Sequence, residues 1–227
     1  MSELVAAVAA AKRRLDAANL ALRGRHGGDE WAAYDAAHDE LLAAERALAA
    51  SRDEEHAAPL DFPVRWNAGA PLPQLLVTDH HALLIFLVRE VDPNWDGTYA
   101  TMKDPASDVF DPYALVTFQR CISAKLGSPN DEVLHGHPLA GRGARPYTAQ
   151  RVVNSHWVAE LQRINAVHRG YRPEWWSDRH HYIFWFHDST FECIAEGFEV
   201  EVRRCTMAQM LLEACRRLTG KTLLAVP

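Results

Sequence analysis

DRHHYIFWFHDSTFECIAEGFEVEV, residues 178–202, decides how this chain folds. From Tyr182 to Phe186 every side chain is aromatic or apolar. A strand there has no solvent face and lies in the middle of a sheet covered above and below. After His187, Asp188, Ser189 and Thr190 the pattern changes, and Phe198, Val200 and Val202 alternate with Glu199 and Glu201, the period of a half-buried strand. Two strands joined by a tight connection follow. His187 and Asp188 fall where the first strand ends, where a scaffold usually presents chemistry, and are candidate catalytic groups.

Upstream, strands are expected at Gln74–Thr78, Ala82–Val91 and Ala114–Ala124. The second, ALLIFLVREV, is a nearly continuous apolar run and another covered strand. Residues 92–111 read as a loop carrying the turn Asn94-Trp95-Asp96-Gly97. Thr148 is a plausible N-cap for a helix reaching about His168, with Val153, Trp157, Leu161 and Ile164 on its buried stripe. After the final strands, Thr206 caps a helix built on Met207, Met210, Leu211, Ala214 and Leu218, and Gly220 ends it. The order βββ-loop-α-ββ-α predicts an α+β domain over 60–227, with a mainly antiparallel sheet of about five strands packed by two helices.

Residues 1–58 read differently. Leu4, Val8, Ala11, Leu15, Ala18 and Leu22 form a heptad seam in an alanine-rich helix. Gly24, Gly27 and Gly28 interrupt it, and a second helix to about Ser51 carries Trp31, Tyr34, Leu41 and Leu48. An alanine seam buries little area, so this antiparallel hairpin is expected to pack on the main domain or to form a homodimer with a second copy. Ser51–Pro59 reads as the linker between the two parts.

The formal charge of −6 and pI near 6.0 give no basic face for nucleic acid. No apolar run approaches the roughly 18 residues that cross a bilayer. The charges near the N-terminus follow the apolar stretch, unlike a secretory signal, so a cytoplasmic protein is expected. Cys121, Cys193, Cys205 and Cys215 show no metal-binding or redox spacing and read as free thiols.

Three constellations bear on chemistry. His135 and His137 form an HxH pair in the long loop 125–147, and neutral imidazoles so spaced suit Zn²⁺, Fe²⁺ or Mn²⁺. His156, His187, Asp188 and Glu192 are candidates for the further ligands if the loop folds over the end of the central strand, and His187 is the third of the favoured metal set. A cupin would place a glutamate where Leu139, Ala140 and Gly141 stand, and the Asp79-His80-His81 step reads as a hairpin turn. The second constellation is Gly141-Arg142-Gly143 with Arg145, an anion-binding loop in which Arg142 and Arg145 contact the ligand. Asn154 and Trp157, at the expected helix start, aim at the same place. The third is His187-Asp188-Ser189-Thr190, without the GxSxG elbow of a serine hydrolase.

The motifs NWDGTY (94–99), LGSPNDEVLHGHPL (126–139), NSHW (154–157) and HYIFWFHDSTFECIA (181–195) resemble a family of bacterial proteins with no assigned activity, over about residues 60–202. The resemblance implies one recurrent domain and brings no cofactor or catalytic residue. The residues themselves favour a regulatory or auxiliary module that binds a small molecule or a protein partner. The alternative is a metal-dependent enzyme acting on a small anionic substrate through His135, His137 and His187.

Overall fold

The computed structural model describes residues 1–23, 28–91 and 103–220. The Asn94–Gly97 turn and the glycines Gly24 and Gly27 lie outside the described residues.

Helices α1 (Ser2–Leu22) and α2 (Gly28–Ala50) pack together as a hairpin, linked by the Arg14–Glu40 ion pair. Leu4, Val8, Leu15, Ala18 and Leu22 are half-buried and Ala11 is fully buried, so the seam read from the sequence is the packed face. Trp31, expected on the buried stripe of α2, is exposed instead.

Among the described residues nine strands follow, every pairing between them antiparallel. They are β1 (His56–Pro59), β2 (Gln74–Val77), β3 (Ala82–Leu87), β4 (Asp111–Gln119), β5 (Ser123–Gly127), β6 (Ala149–Val153), β7 (His180–Trp185), β8 (Thr190–Ala195) and β9 (Gly197–Cys205). One sheet has the order β1-β6-β7-β8-β5 and the other β2-β3-β4-β9. Helix α3 (His156–Asn165) follows β6, and α4 (Met207–Thr219) follows β9. The α+β class and the antiparallel pairing are as expected.

Where the elements differ from expectation, local physics explains it. The strand read as Ala114–Ala124 is two strands, because Arg120 takes a left-handed φ of 47° and turns the chain from the four-stranded sheet into the five-stranded one. The chain crosses back at Glu196, so the last strand of the expected hairpin is also two, β8 and β9. The expected helix from Thr148 begins instead as β6, paired with β1 on one side and β7 on the other. Thr148 Oγ1 donates to Arg145 O at 2.8 Å, and the helix cap is Ser155, whose Oγ accepts the Val158 N–H at 3.2 Å. Ser51–Pro59, read as a linker, supplies edge strand β1, whose Ala57 N–H donates to Arg142 O at 2.9 Å.

The main core lies between the two sheets. Alternate residues Ala82, Leu84 and Phe86 of β3 meet Tyr182 and Phe184 of β7 and Phe191 and Cys193 of β8. Each fully buried phenylalanine there contributes roughly 1.5–3 kcal/mol. The opposite residues of β3, Leu83, Ile85 and Leu87, pack against Met207, Met210 and Ala214 of α4. Cover on both faces is why the β3 run is apolar throughout. On the outer face of the five-stranded sheet, Leu139 of the long loop packs on Ala57, Val152, Ile183 and Trp185. Among the described residues no helix is long and apolar enough to cross a membrane.

Candidate functional site

Two clefts open at the two ends of β6. The larger, about 660 Å³, lies between α2 and the segments 60–68 and 145–149. Trp66 is its most buried wall, 4% exposed, and its ring stacks on Phe184 at 5.8 Å and 10°. Its indole Nε1 is buried and has no hydrogen-bond partner among the described residues. Tyr34, Phe62 and Tyr147 add aromatic surface, and Arg65, Arg89 and Arg145 bring positive charge. Arg145 is neutralised by ion pairs to Asp39 and Asp35 of α2. Arg65 and Arg89 are tied together by a backbone bond, Arg89 N–H to Arg65 O at 2.8 Å. Their guanidinium groups have no ion pair among the described residues.

Tyr147, held at φ 60°, joins this cleft to the β7–β8 turn. Its hydroxyl donates to Asp131 Oδ2, and the same oxygen lies 3.1 Å from His187 Nδ1. Burial and the Asp131 carboxylate push the Tyr147 phenol up to about 12. The bond to Asp131 also raises His187 above its ordinary value. Burial raises Asp131, but the bonds from Tyr147 and His187 outweigh it and leave the carboxyl below its usual range. Asp188 lies 3.9 Å from His187 Nε2, a looser contact.

The smaller cleft, about 390 Å³, opens where β6 ends, and Ser155, Arg151, His180 and His181 line it. Asn154, at a left-handed φ of 53°, turns the strand into α3 and sets Ser155 at the helix start. Ser155 Oγ lies 2.8 Å from His181 Nδ1, and His181 Nε2 lies 2.9 Å from Glu192 Oε2. Lys125 Nζ reaches Glu192 Oε1 at 2.8 Å and sits 4.8 Å above the Trp157 ring, whose edge meets the His181 ring. Ser155, His181 and Glu192 are 8%, 4% and 8% exposed. Burial raises the Glu192 carboxyl, but the bonds from His181 and Lys125 more than reverse that and leave it lowered.

The residues singled out from the sequence scatter over these places. His187, Asp188 and Arg145 lie near the larger cleft, and Asn154 and Trp157 near the smaller. Arg142 pairs instead with Glu54 at 3.5 Å. His135 is exposed on the short 3-10 turn 131–136, while His137 packs edge-on to Trp185 at 4.8 Å. Burial holds His137 below its ordinary value. Thus His135, His137 and His187 do not gather, and among the described residues no three His, Cys, Asp or Glu side chains stand together as metal ligands. His181, Asp131, Tyr147, Arg65 and Arg89 are not singled out as site residues by the sequence, and Glu192 is singled out there only as a possible metal ligand. Only strand register sets His181 beside Glu192, through the pairing of His181 with Ile194 and Ile183 with Glu192.

Comparison with family models, with curated proteins and with solved structures found no match for this chain.

Proposed function

We propose that this protein is a small-molecule binding module, and that its ligand is a flat aromatic anion seated in the larger cleft. One observation carries the reading: Arg65 and Arg89 stand unneutralised at the mouth of a cavity walled by Trp66, Phe62 and Tyr147. A concave site with apolar walls and a few convergent polar groups is the usual form of a ligand pocket. Guanidinium groups favour carboxylate or phosphate, and aromatic faces favour a ring.

The test is a fluorescence titration, since Trp31 and Trp66 both line the cleft. Aromatic carboxylates and nucleoside monophosphates serve as probes, against the native chain and an Arg65→Ser/Arg89→Ser variant. Saturable binding that weakens about tenfold or more in the variant, a loss of about 1.4 kcal/mol, supports the reading. No saturation by any probe below about 1 mM would refute it. The metal-dependent alternative gains nothing from the placement of His135, His137 and His187. The described residues offer a divalent transition metal no three-ligand cluster.

A further inference from the structure

We propose that Ser155 is a nucleophile activated by His181, that Glu192 positions the imidazole, and that the smaller cleft takes short-chain carboxylic esters. The proposal is independent of the ligand reading above, because it rests on other residues at the opposite end of β6.

The hydrogen bonds fix the direction of proton transfer. The Val158 N–H donates to Ser155 Oγ at 3.2 Å, so the hydroxyl hydrogen is free to point at His181 Nδ1, 2.8 Å away. Nδ1 then accepts, and the ring proton resides on Nε2 and is donated to Glu192 Oε2 at 2.9 Å. Glu192 as a carboxylate can only accept, and Lys125 at 2.8 Å keeps it ionised. The result is the serine–imidazole–carboxylate relay of hydrolases, with the two ring nitrogens exchanged. It arises without a GxSxG elbow. Such relays are recognised by geometry and roles, not by sequence position.

A helix cap alone does not require this arrangement. An N-cap serine needs one bond to the helix, and Val158 supplies it. Setting a histidine and an ionised glutamate behind that serine desolvates a charge, and perturbed buried charges of this kind cluster at functional sites. The serine also sits in a working position. It follows a strand and a left-handed residue, begins a helix, and opens to a cleft rather than to the core. Arg151, on the cleft wall, has no ion pair among the described residues and offers positive charge to a substrate. In the first turn of α3, the His156 N–H is bound by Glu55 Oε1 at 2.7 Å and the Val158 N–H by Ser155. That leaves the Trp157 N–H as the first-turn donor without a hydrogen bond among the described residues.

The chemistry balances with water as co-reactant. Ser155 Oγ attacks the ester carbonyl carbon as its proton passes to His181 Nδ1. The bond from that carbon to the alkoxy oxygen then breaks, and Nδ1 returns the proton to the leaving alcohol. Water attacks the acyl-serine, giving a proton to Nδ1. Collapse of that adduct frees the carboxylic acid and restores the Ser155 hydroxyl with the same proton.

The experiment uses the full chain with an alkyl fluorophosphonate, read by intact mass and peptide mapping, beside hydrolysis of 4-nitrophenyl acetate. The control is Ser155→Asn, which keeps an N-cap side chain while removing the nucleophile. One adduct is expected, mapped to Ser155 and absent from Ser155→Asn, with ester hydrolysis lost in that variant. Glu192→Gln is expected to lower kcat about 100-fold with KM unchanged, a split that loss of packing alone would not give. No adduct on the folded native chain overturns the proposal, as does an adduct or hydrolysis rate equal in Ser155→Asn.

Discussion

Replacing Glu192 with glutamine separates charge from shape in the network that orders the outer face of the five-stranded sheet. The His181 Nε2–H keeps an acceptor of the same size, so the bond at 2.9 Å survives in neutral form. Hydrogen bonds to a charged group contribute about 1.5–3 kcal/mol and neutral ones about 1, so this contact weakens by about 1 kcal/mol. The Lys125 pair is also lost, but the lysine side chain is 59% exposed and screened, which limits that share to at most about 1 kcal/mol. Glu192→Gln is therefore expected to cost about 1–2 kcal/mol at pH 7. Glu192→Ala additionally strands the buried imidazole N–H and is expected to cost about 3–4 kcal/mol. The pH dependence carries a sign. The folded carboxyl is held below its ordinary value, so the folded state binds its proton less readily than the unfolded chain does. Its contribution is full above the unfolded value of about 4.3 and is lost as pH falls through the lower folded value. Urea unfolding of the native chain and the glutamine variant in parallel, from pH 7 downward, isolates this one group. A gap under about 0.5 kcal/mol at pH 7 would refute the reasoning, and so would a gap that widens on acidification.

Other perturbations probe how the site is held. A Cβ on Gly143 would lie 2.4 Å from Arg46 Cγ and 2.6 Å from Ala57 O, at a φ of 86°. Gly143→Ala is thus expected to cost at least about 2 kcal/mol and to loosen α2 from the long loop, read as a lower urea midpoint and faster amide exchange in β1. Phe184→Ala removes a fully buried ring that packs at 4.9 Å on Phe62 and 5.6 Å on Phe191. A loss of about 3–5 kcal/mol is expected, and less than about 2 would mean the inter-sheet core relaxes into the space. Thr206 and Gln209 form a reciprocal capping box at the start of α4, so Thr206→Ala is expected to cost about 1 kcal/mol by thermal unfolding.

The parts of this fold legible in the sequence are those where one element buries one periodic face. The α1 seam, the covered run of β3 and the α4 cap with its Met207–Met210–Ala214 stripe all belong here, because their patterns answer to a single neighbour. What stayed hidden are the two places where a strand leaves one sheet for the other. Apolar alternation continues through both, since each half of the bent strand faces the same core, and Arg120 has no glycine or proline beside it to mark a turn. The start of α3 differs from the sequence expectation for a related reason. Val153, Trp157, Leu161 and Ile164 keep helical spacing, so the stripe extends back over Val152 and Val153, which are claimed by pairing with His181 and His56. Ser155, His181 and Glu192 lie 26 and 11 residues apart in the chain, and sheet register alone brings them together.

The same contrast governs charge. Gly141-Arg142-Gly143 and Arg145 have the composition of an anion loop, since glycine and arginine are the right materials for one. Yet a cation binds an external anion only if the fold leaves it unneutralised. Here α2 and the segment after it bring Asp35, Asp39, Glu45 and Glu54 against the loop. Glu45 accepts the Gly143 N–H at 3.2 Å, Glu54 takes Arg142, and the two aspartates take Arg145. The loop's positive charge is consumed in docking the helical hairpin, so the hairpin does more than extend the chain: it forms one wall of the larger cleft. The cations left over, Arg65 and Arg89, come from a proline-interrupted segment and a strand end. Nothing nearby in the sequence marks them as a pair. Which arginine is left unneutralised is thus decided by which carboxylates the hairpin carries, a property of the packed chain and not of any motif.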